Sequence, residues 1–231
     1  MPIVKTLDYD FFKAWSSDMA YVLGYFAADG SMLKNNRGAH FIEFTSIDRI
    51  LLEQVQKVTG SNHKLKERSE GSRSKPEWQT SYRIQIGSKE WFTDLTALGF
   101  TQNKSLTLVF PRIPEEYLGH FVRGYFDGDG CAYLKEHFAK DRNKNRWIFR
   151  ALFTSGSLFF LESLWQALKK KGIAGGHISG RPDRGYELVF SWRDSLALYR
   201  LIYHTAEASE LFLPRKREKL EEAIQVLGLD K

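Results

Sequence analysis

Two stretches of the chain share one pattern of apolar and polar positions. Val22-Leu23-Gly24-Tyr25-Phe26-Ala27-Ala28-Asp29-Gly30 returns as Val122-Arg123-Gly124-Tyr125-Phe126-Asp127-Gly128-Asp129-Gly130, at an offset of 100 residues. Each is an apolar helical run that ends in Asp-Gly. Ala20, Gly24 and Ala28 fall on one stripe of such a helix, as do Gly124 and Gly128. Small side chains on a stripe let two helix backbones approach closely, so the pattern predicts a helix–helix seam.

The repeat continues beyond the motif. Ser31 to Lys34 reads as a short strand and Ala39 to Ser46 as a longer one. Ile50, Leu51, Leu52, Val55 and Val58 then recur at helical spacing, with Gly60 closing the helix. His63 to Arg68 and Tyr82 to Gly87 read as two further strands around a polar loop, Ser69 to Pro76, and Trp91 to Leu98 as a closing helix. In the second copy Arg146 to Ser155 corresponds to the long strand, Leu158 to Lys171 to the helix, and Tyr186 to Ser191 to the last strand. Asp194 to His204 and Arg217 to Leu227 read as terminal helices. The expected fold class is α+β: two pseudo-symmetric αββαββα halves, each an antiparallel sheet backed by helices, joined through a two-helix seam. The halves are read as residues 1–110 and 115–231, with 111–114 (Pro111 to Pro114) as a short linker. Halves this alike and this closely joined imply one monomer with an internal pseudo-two-fold axis.

Composition narrows the chemistry. The chain of 231 residues is 42% hydrophobic and 14% aromatic, enough for a folded core. A net charge of +6 makes an anionic partner plausible. Cys131 is the only cysteine, which excludes an internal disulfide and a thiolate zinc site. The six histidines show no metal-ligand spacing and read as structural or as facing a nucleic acid. The N-terminus does not read as a signal peptide, and no apolar run is long enough to span a bilayer. The expectation is a soluble intracellular protein, in the cytoplasm, nucleoid or an organelle matrix, without a membrane partner.

The paired Asp-Gly ends carry the chemistry. A helix C-terminus disfavours an acid by a few tenths to about 1 kcal/mol. Two carboxylates about 4 Å apart repel by roughly 4 kcal/mol at an effective dielectric of about 20. Divalent cations between Asp29 and Asp129 would turn that cost into an attraction. Oxygen ligands without His or Cys point to Mg²⁺, with Mn²⁺ as the alternative. Metals shared by two acids can stabilise both the attacking and the leaving oxygen of a phosphodiester. Asp-Gly is also an ordinary turn pair, which is the competing reading for each copy taken alone.

Both motifs resemble the LAGLIDADG signature of the homing endonucleases in their monomeric, two-motif form, and the order of strands and helices after each motif fits as well. The resemblance implies a site-specific enzyme that hydrolyses both strands of a long double-stranded DNA target, with two sheets straddling the major groove. It implies that Asp29 and Asp129 bind the catalytic metals, assisted by the backbone carbonyls of Ala28 and Gly128. It also implies a lysine late in each half near the scissile phosphates, the places held here by Lys104 and Lys216. Two departures stand out. Ala27 replaces an acid that Asp127 keeps, and Ser46 and Ser155 stand where a glutamine often follows the long strand, which puts its water-positioning role in doubt.

Strand alternation predicts the DNA face. Ile84 and Ile86 point inward, so Arg83 and Gln85 point out. Leu65 points inward, so Lys64, Lys66 and Arg68 point out. In the second half Lys135, Arg146, Arg150, Arg181 and Arg184 are the candidates. Arg and Gln can read base edges bidentately and Lys can contact phosphate. The alternative uses of the same fold are a DNA-binding regulator and an RNA-binding intron maturase. Both acids are present and little chain remains for another domain, which favours the enzyme. Without splicing-type flanks, the chain reads as free-standing or intron-encoded rather than as an intein.

Overall fold

A computed structural model describes residues 4–68, 80–181, 185–204 and 211–229. The first copy of the repeat runs α1 (Ser17–Asp29), β1 (Gly30–Lys34), β2 (His40–Ser46), α2 (Arg49–Val58), β3 (Lys66–Arg68), β4 (Ser81–Gly87) and α3 (Lys89–Ala97). The second runs α4 (Leu118–Asp129), β5 (Gly130–Ala139), β6 (Lys144–Ser155), α5 (Leu158–Lys170), β7 (His177–Arg181), β8 (Gly185–Ser191), α6 (Trp192–Tyr203) and α7 (Pro214–Leu227). The fold is α+β, with two four-stranded antiparallel sheets ordered β1-β2-β4-β3 and β5-β6-β8-β7. Both copies thus build the same sheet from the same order of strands.

Local signals explain most boundaries. Ser16 caps α1 by accepting from the Met19 N–H at 3.1 Å, and Ser88 caps α3 by accepting from Trp91 N–H, also at 3.1 Å. The Ser88 cap starts α3 at Lys89, two residues before the start that apolar spacing suggests. Ser157 caps α5 and donates to the Leu108 carbonyl at 2.8 Å. Gly60 and Gly172 follow α2 and α5 with positive φ, as helix-ending glycines do.

By contacts the chain divides into two compact units that interleave along the sequence. Among the described residues, the first holds the chain up to Lys104, then Pro111–Gly128 and Leu211. The second holds Ser105–Phe110, the described chain from Asp129 to 204, and the chain from Phe212 onward. The Pro111–Pro114 segment and nearly all of α4 therefore pack with the first unit, although the repeat assigns α4 to the second copy.

In the first unit α1 is buried all round, from Met19 to Ala27. A helix apolar on every side sits at the centre of a core. Ile42, Phe44, Ile84 and Ile86 turn toward the helices, and Phe26 packs edge-to-face on Phe44 and on Phe100. In the second unit Phe149, Ala151, Phe153, Leu188 and Phe190 form the core side of the sheet. Among the described residues no helix is long and apolar enough to cross a membrane.

Candidate functional site

The site is built on the contact of α1 with α4 inside the first unit. A methyl group on Gly24 would stand 2.0 Å from the Phe121 carbonyl oxygen. One on Gly124 would stand 2.0 Å from the Tyr21 carbonyl oxygen. The helices touch backbone to backbone at two reciprocal points, so both positions require glycine. This is the seam that the small-residue stripes predict.

At the lower end of the seam Asp29 is the last residue of α1. A methyl group on Gly128 would meet Ala28 Cβ at 2.4 Å and Asp29 Oδ2 at 3.0 Å. The Asp29 carboxylate therefore lies against the bare backbone of Gly128, the residue before Asp129 in α4. Asp129 is the last residue of its helix, as Asp29 is of its own. Among the described residues, no group of three or more His, Cys, Asp or Glu comes together as a metal site. The donor chemistry at the end of α1, a carboxylate beside a backbone carbonyl, suits a hard divalent cation.

Lys104 is buried, in a short 3₁₀ turn, Lys104–Leu106. Its Nζ donates to the Ala27 carbonyl at 2.8 Å and reaches the Ala28 carbonyl at 3.5 Å. A cation here answers the partial negative charge at the end of α1. The Ala28 carbonyl expected to assist a metal is thus shared with a lysine. Lys216 is buried in the first turn of α7, in the second unit.

The second motif buries polar groups where the first is apolar. His120, Arg123 and Asp127 are all buried, at positions matching Ala20, Leu23 and Ala27. Tyr21 donates to Asp127 Oδ2 at 2.7 Å across the seam. Arg123 donates from Nε to the Leu211 carbonyl at 2.8 Å, lies 3.0 Å from His120 Nδ1, and stacks over the Tyr21 ring at 5.4 Å. Burial raises the Tyr21 hydroxyl well above the ordinary tyrosine value, and the charge of Asp127 adds to the rise. Burial also raises Tyr25 well above that value, with the charge of Asp29 as the next cause. Tyr25 donates to the Thr45 carbonyl at 3.0 Å.

Ser46 and Ser155 are occupied with backbone. Each accepts from the N–H two residues on, Asp48 at 2.9 Å and Ser157 at 3.1 Å, so both close the turn from strand to helix.

Register places the predicted face residues. In the first unit Glu43 pairs with Gln85, Thr45 with Arg83, and Lys66 with Arg83, which puts Arg83, Gln85 and Lys66 on the face opposite Ile84 and Ile86. Arg68 takes a register position on that same face. Lys66 is exposed, and Lys64 is exposed just before β3. Arg83 and Gln85 are only half-exposed, because both donate to the carboxylate of Glu43. Glu43, 7% exposed, is a residue of this face that alternation alone did not single out.

In the second unit Tyr133 pairs with Arg150, Lys135 with Ile148 and His137 with Arg146. Lys135, Arg146 and Arg150 are exposed on the outer face, and Arg181 takes a register position there. Arg184 lies outside the described residues, as does the polar loop expected at 69–76. The β5–β6 ribbon runs on past β8, which pairs only with Arg150 to Ser155. A hollow of about 470 Å³ beside this ribbon is lined by Lys144, Arg146, Trp147, Arg150 and Trp192, among others.

Residues 16–96 match the family model described as LAGLIDADG-like domain. The chain is 24% identical over 230 residues, 97% of its length, to DNA-directed RNA polymerase subunit Rpo1C of Methanocaldococcus jannaschii. It spans 22% of the length of that relative. Among solved structures, the meganuclease I-SmaMI bound to uncleavable DNA is similar over 91% of this chain and 90% of that one, with a TM-score of 0.62 at 13% identity. I-AabMI bound to uncleaved DNA matches over 90% of each chain, with a TM-score of 0.61 at 13% identity. The LAGLIDADG homing endonuclease I-LtrWI bound to target DNA matches over 96% and 92%, with a TM-score of 0.57 at 11% identity. Residues 16–96 are thus similar to the LAGLIDADG-like domain, and the chain has the fold of these endonucleases.

Proposed function

We propose that the protein is a site-specific LAGLIDADG homing endonuclease, a monomer with internal pseudo-two-fold symmetry that hydrolyses both strands of a long double-stranded DNA target with divalent metal. The observation that carries the reading is the Asp29 carboxylate laid against Gly128 at the end of two glycine-locked helices, one residue before Asp129. Such a place is unfavourable for acids unless a cation shares them.

In this reading Asp29 and Asp129, with the carbonyls of Ala28 and Gly128, would hold Mg²⁺ or Mn²⁺. The bound cation would supply a more acidic water and charge neutralisation at the phosphate. In the same reading Lys104 and Lys216 would hold cationic charge near the reacting phosphates, where it is worth more than in water. Lys64, Lys66, Arg68, Arg83 and Gln85 of one unit, and Lys135, Arg146, Arg150 and Arg181 of the other, would meet the DNA, together with Arg184, which lies outside the described residues. Phosphate contacts from the lysines fix the register, and Arg and Gln carry base preference. Solved meganucleases of the same fold bound to DNA support the reading. A DNA-binding regulator or an RNA-binding maturase on this fold would have no need of the paired acids.

The test is incubation with a randomised plasmid library and Mg²⁺, followed by sequencing of the broken ends. The expected result is one long recurrent sequence at the ends. Intact plasmid, or breaks without a shared sequence, would overturn the reading.

A further inference from the structure

The outer face of the first sheet carries a buried acid where a DNA-facing surface calls for positive charge. Glu43 sits in the middle of β2, 7% exposed, directly opposite Ser31 on β1 and Gln85 on β4. Arg83 Nη2 and Gln85 Nε2 both donate to one oxygen of its carboxylate, Oε1. Arg83 Nε is buried too, and has no hydrogen-bond partner among the described residues. A carboxylate only accepts, so the Gln85 group that faces it must be the amide nitrogen. That choice fixes the amide: its oxygen is the end left for a ligand.

We propose that Glu43 is a positioning residue for sequence readout, holding Arg83 and Gln85 as one preset pair that reads adjacent base pairs. This rests on the reading of the sheet face as a DNA surface and goes beyond it. A free arginine on such a face can swing to any phosphate, which adds affinity without discrimination. Tied to Glu43, Arg83 loses that freedom, and the carboxylate offsets its charge. Its remaining donors and the Gln85 oxygen then form a fixed pattern of donors beside one acceptor. In the major groove that pattern suits acceptors such as guanine O6 and N7 next to a donor such as the adenine or cytosine amino group. Ordering both side chains before binding also lowers the entropy lost on contact.

The test compares base-preference profiles of wild type and Glu43→Gln on a library of randomised targets, with thermal midpoints measured alongside. E43Q keeps the size and removes the charge. Discrimination should fall about tenfold or more at one or two adjacent positions and stay unchanged elsewhere. The salt slope of binding should steepen by up to about one, as Arg83 becomes free for phosphate. Glu43→Asp, which keeps the charge on a shorter stem, should recover part of the lost discrimination. An unchanged profile, or a uniform loss across all positions together with a lowered midpoint, would overturn the proposal and leave Glu43 a structural acid. Should E43Q not fold, Arg83→Met and Gln85→Met replace it. Both must flatten the same adjacent positions, and effects at separate positions would overturn the pairing. Wild type that selects no sequence at all would instead remove the DNA reading, and this inference with it.

Discussion

Lys104 donates its Nζ to the carbonyl of Ala27 at 2.8 Å, and so closes the end of the helix that carries Asp29. The lysine that the family resemblance implies for the chemistry is therefore also a structural cap. One ammonium would serve both roles: it answers the helix carbonyls and, in the proposed reading, holds positive charge near the acid. Lys104→Met should do two things. A buried carbonyl that loses its donor costs about 1–3 kcal/mol, which will lower the thermal midpoint. Single-turnover cleavage should slow by about a hundredfold while DNA affinity holds. An unchanged single-turnover rate with weakened binding would leave Lys104 as a cap alone.

The seam tolerates no side chain at two positions. Gly24→Ala and Gly124→Ala each set a methyl group 2.0 Å from a backbone oxygen, which cannot swing away as a side chain can. Each should destabilise by at least about 1–3 kcal/mol in urea unfolding. Gly87→Ala, whose methyl would meet only Phe41 at 3.7 Å, should be nearly neutral. Equal midpoints for all three variants would contradict the close approach.

Tyr21 and Tyr25 make the fold sensitive to alkali. Burial raises both hydroxyls above the ordinary tyrosine value, so the folded state keeps protons that the unfolded state loses. Their contribution to stability is full below pH of about 10 and is lost as pH rises above it. Tyrosinate absorbance should therefore appear together with unfolding. A double-mutant cycle of Tyr21→Phe and Asp127→Asn should return a coupling of about 0.5–3 kcal/mol. Additive effects would mean that the 2.7 Å bond across the seam contributes nothing.

The parts of the fold legible in the sequence are those set by periodicity. Ile84 and Ile86 alternate with Arg83 and Gln85, and a strand has only two faces, so the outward set follows. The glycine stripes gave the seam because packing backbones leave no other choice of residue. Four features stayed hidden. Glu43 is as polar as its neighbours, and alternation cannot tell an exposed acid from one buried under two donors. Lys104 sits in a 3₁₀ turn without a period, so its burial has no sequence signature. His120, Arg123 and Asp127 interrupt an apolar motif, and their contrast with Ala20, Leu23 and Ala27 was the available sign of a polar cluster. The overhang of the β5–β6 ribbon was missed because apolar alternation fades past Leu134 and Phe149, while the backbone pairing continues to Ala139 and Lys144.

The metal can be tested by exchange. Ca²⁺ is larger and coordinates more loosely than Mg²⁺, so it should support DNA binding and little cleavage. Chelation should stop cleavage, and added Mg²⁺ or Mn²⁺ should restore it. Equal rates in Ca²⁺ and Mg²⁺ would contradict a site built on two carboxylates with strict water placement.

In the proposed function Asp29 and Asp129, the last residues of α1 and α4, bind the metal. The most direct measurement is cleavage of a target plasmid in Mg²⁺ by wild type, Asp29→Asn and Asp129→Asn, with binding to the same target measured in parallel. Asparagine keeps the shape and removes the charge the metal needs. Wild type should linearise the plasmid, and each variant should bind within a few-fold of wild type and make no double-strand break. Linear product from either variant at the wild-type rate would contradict the account.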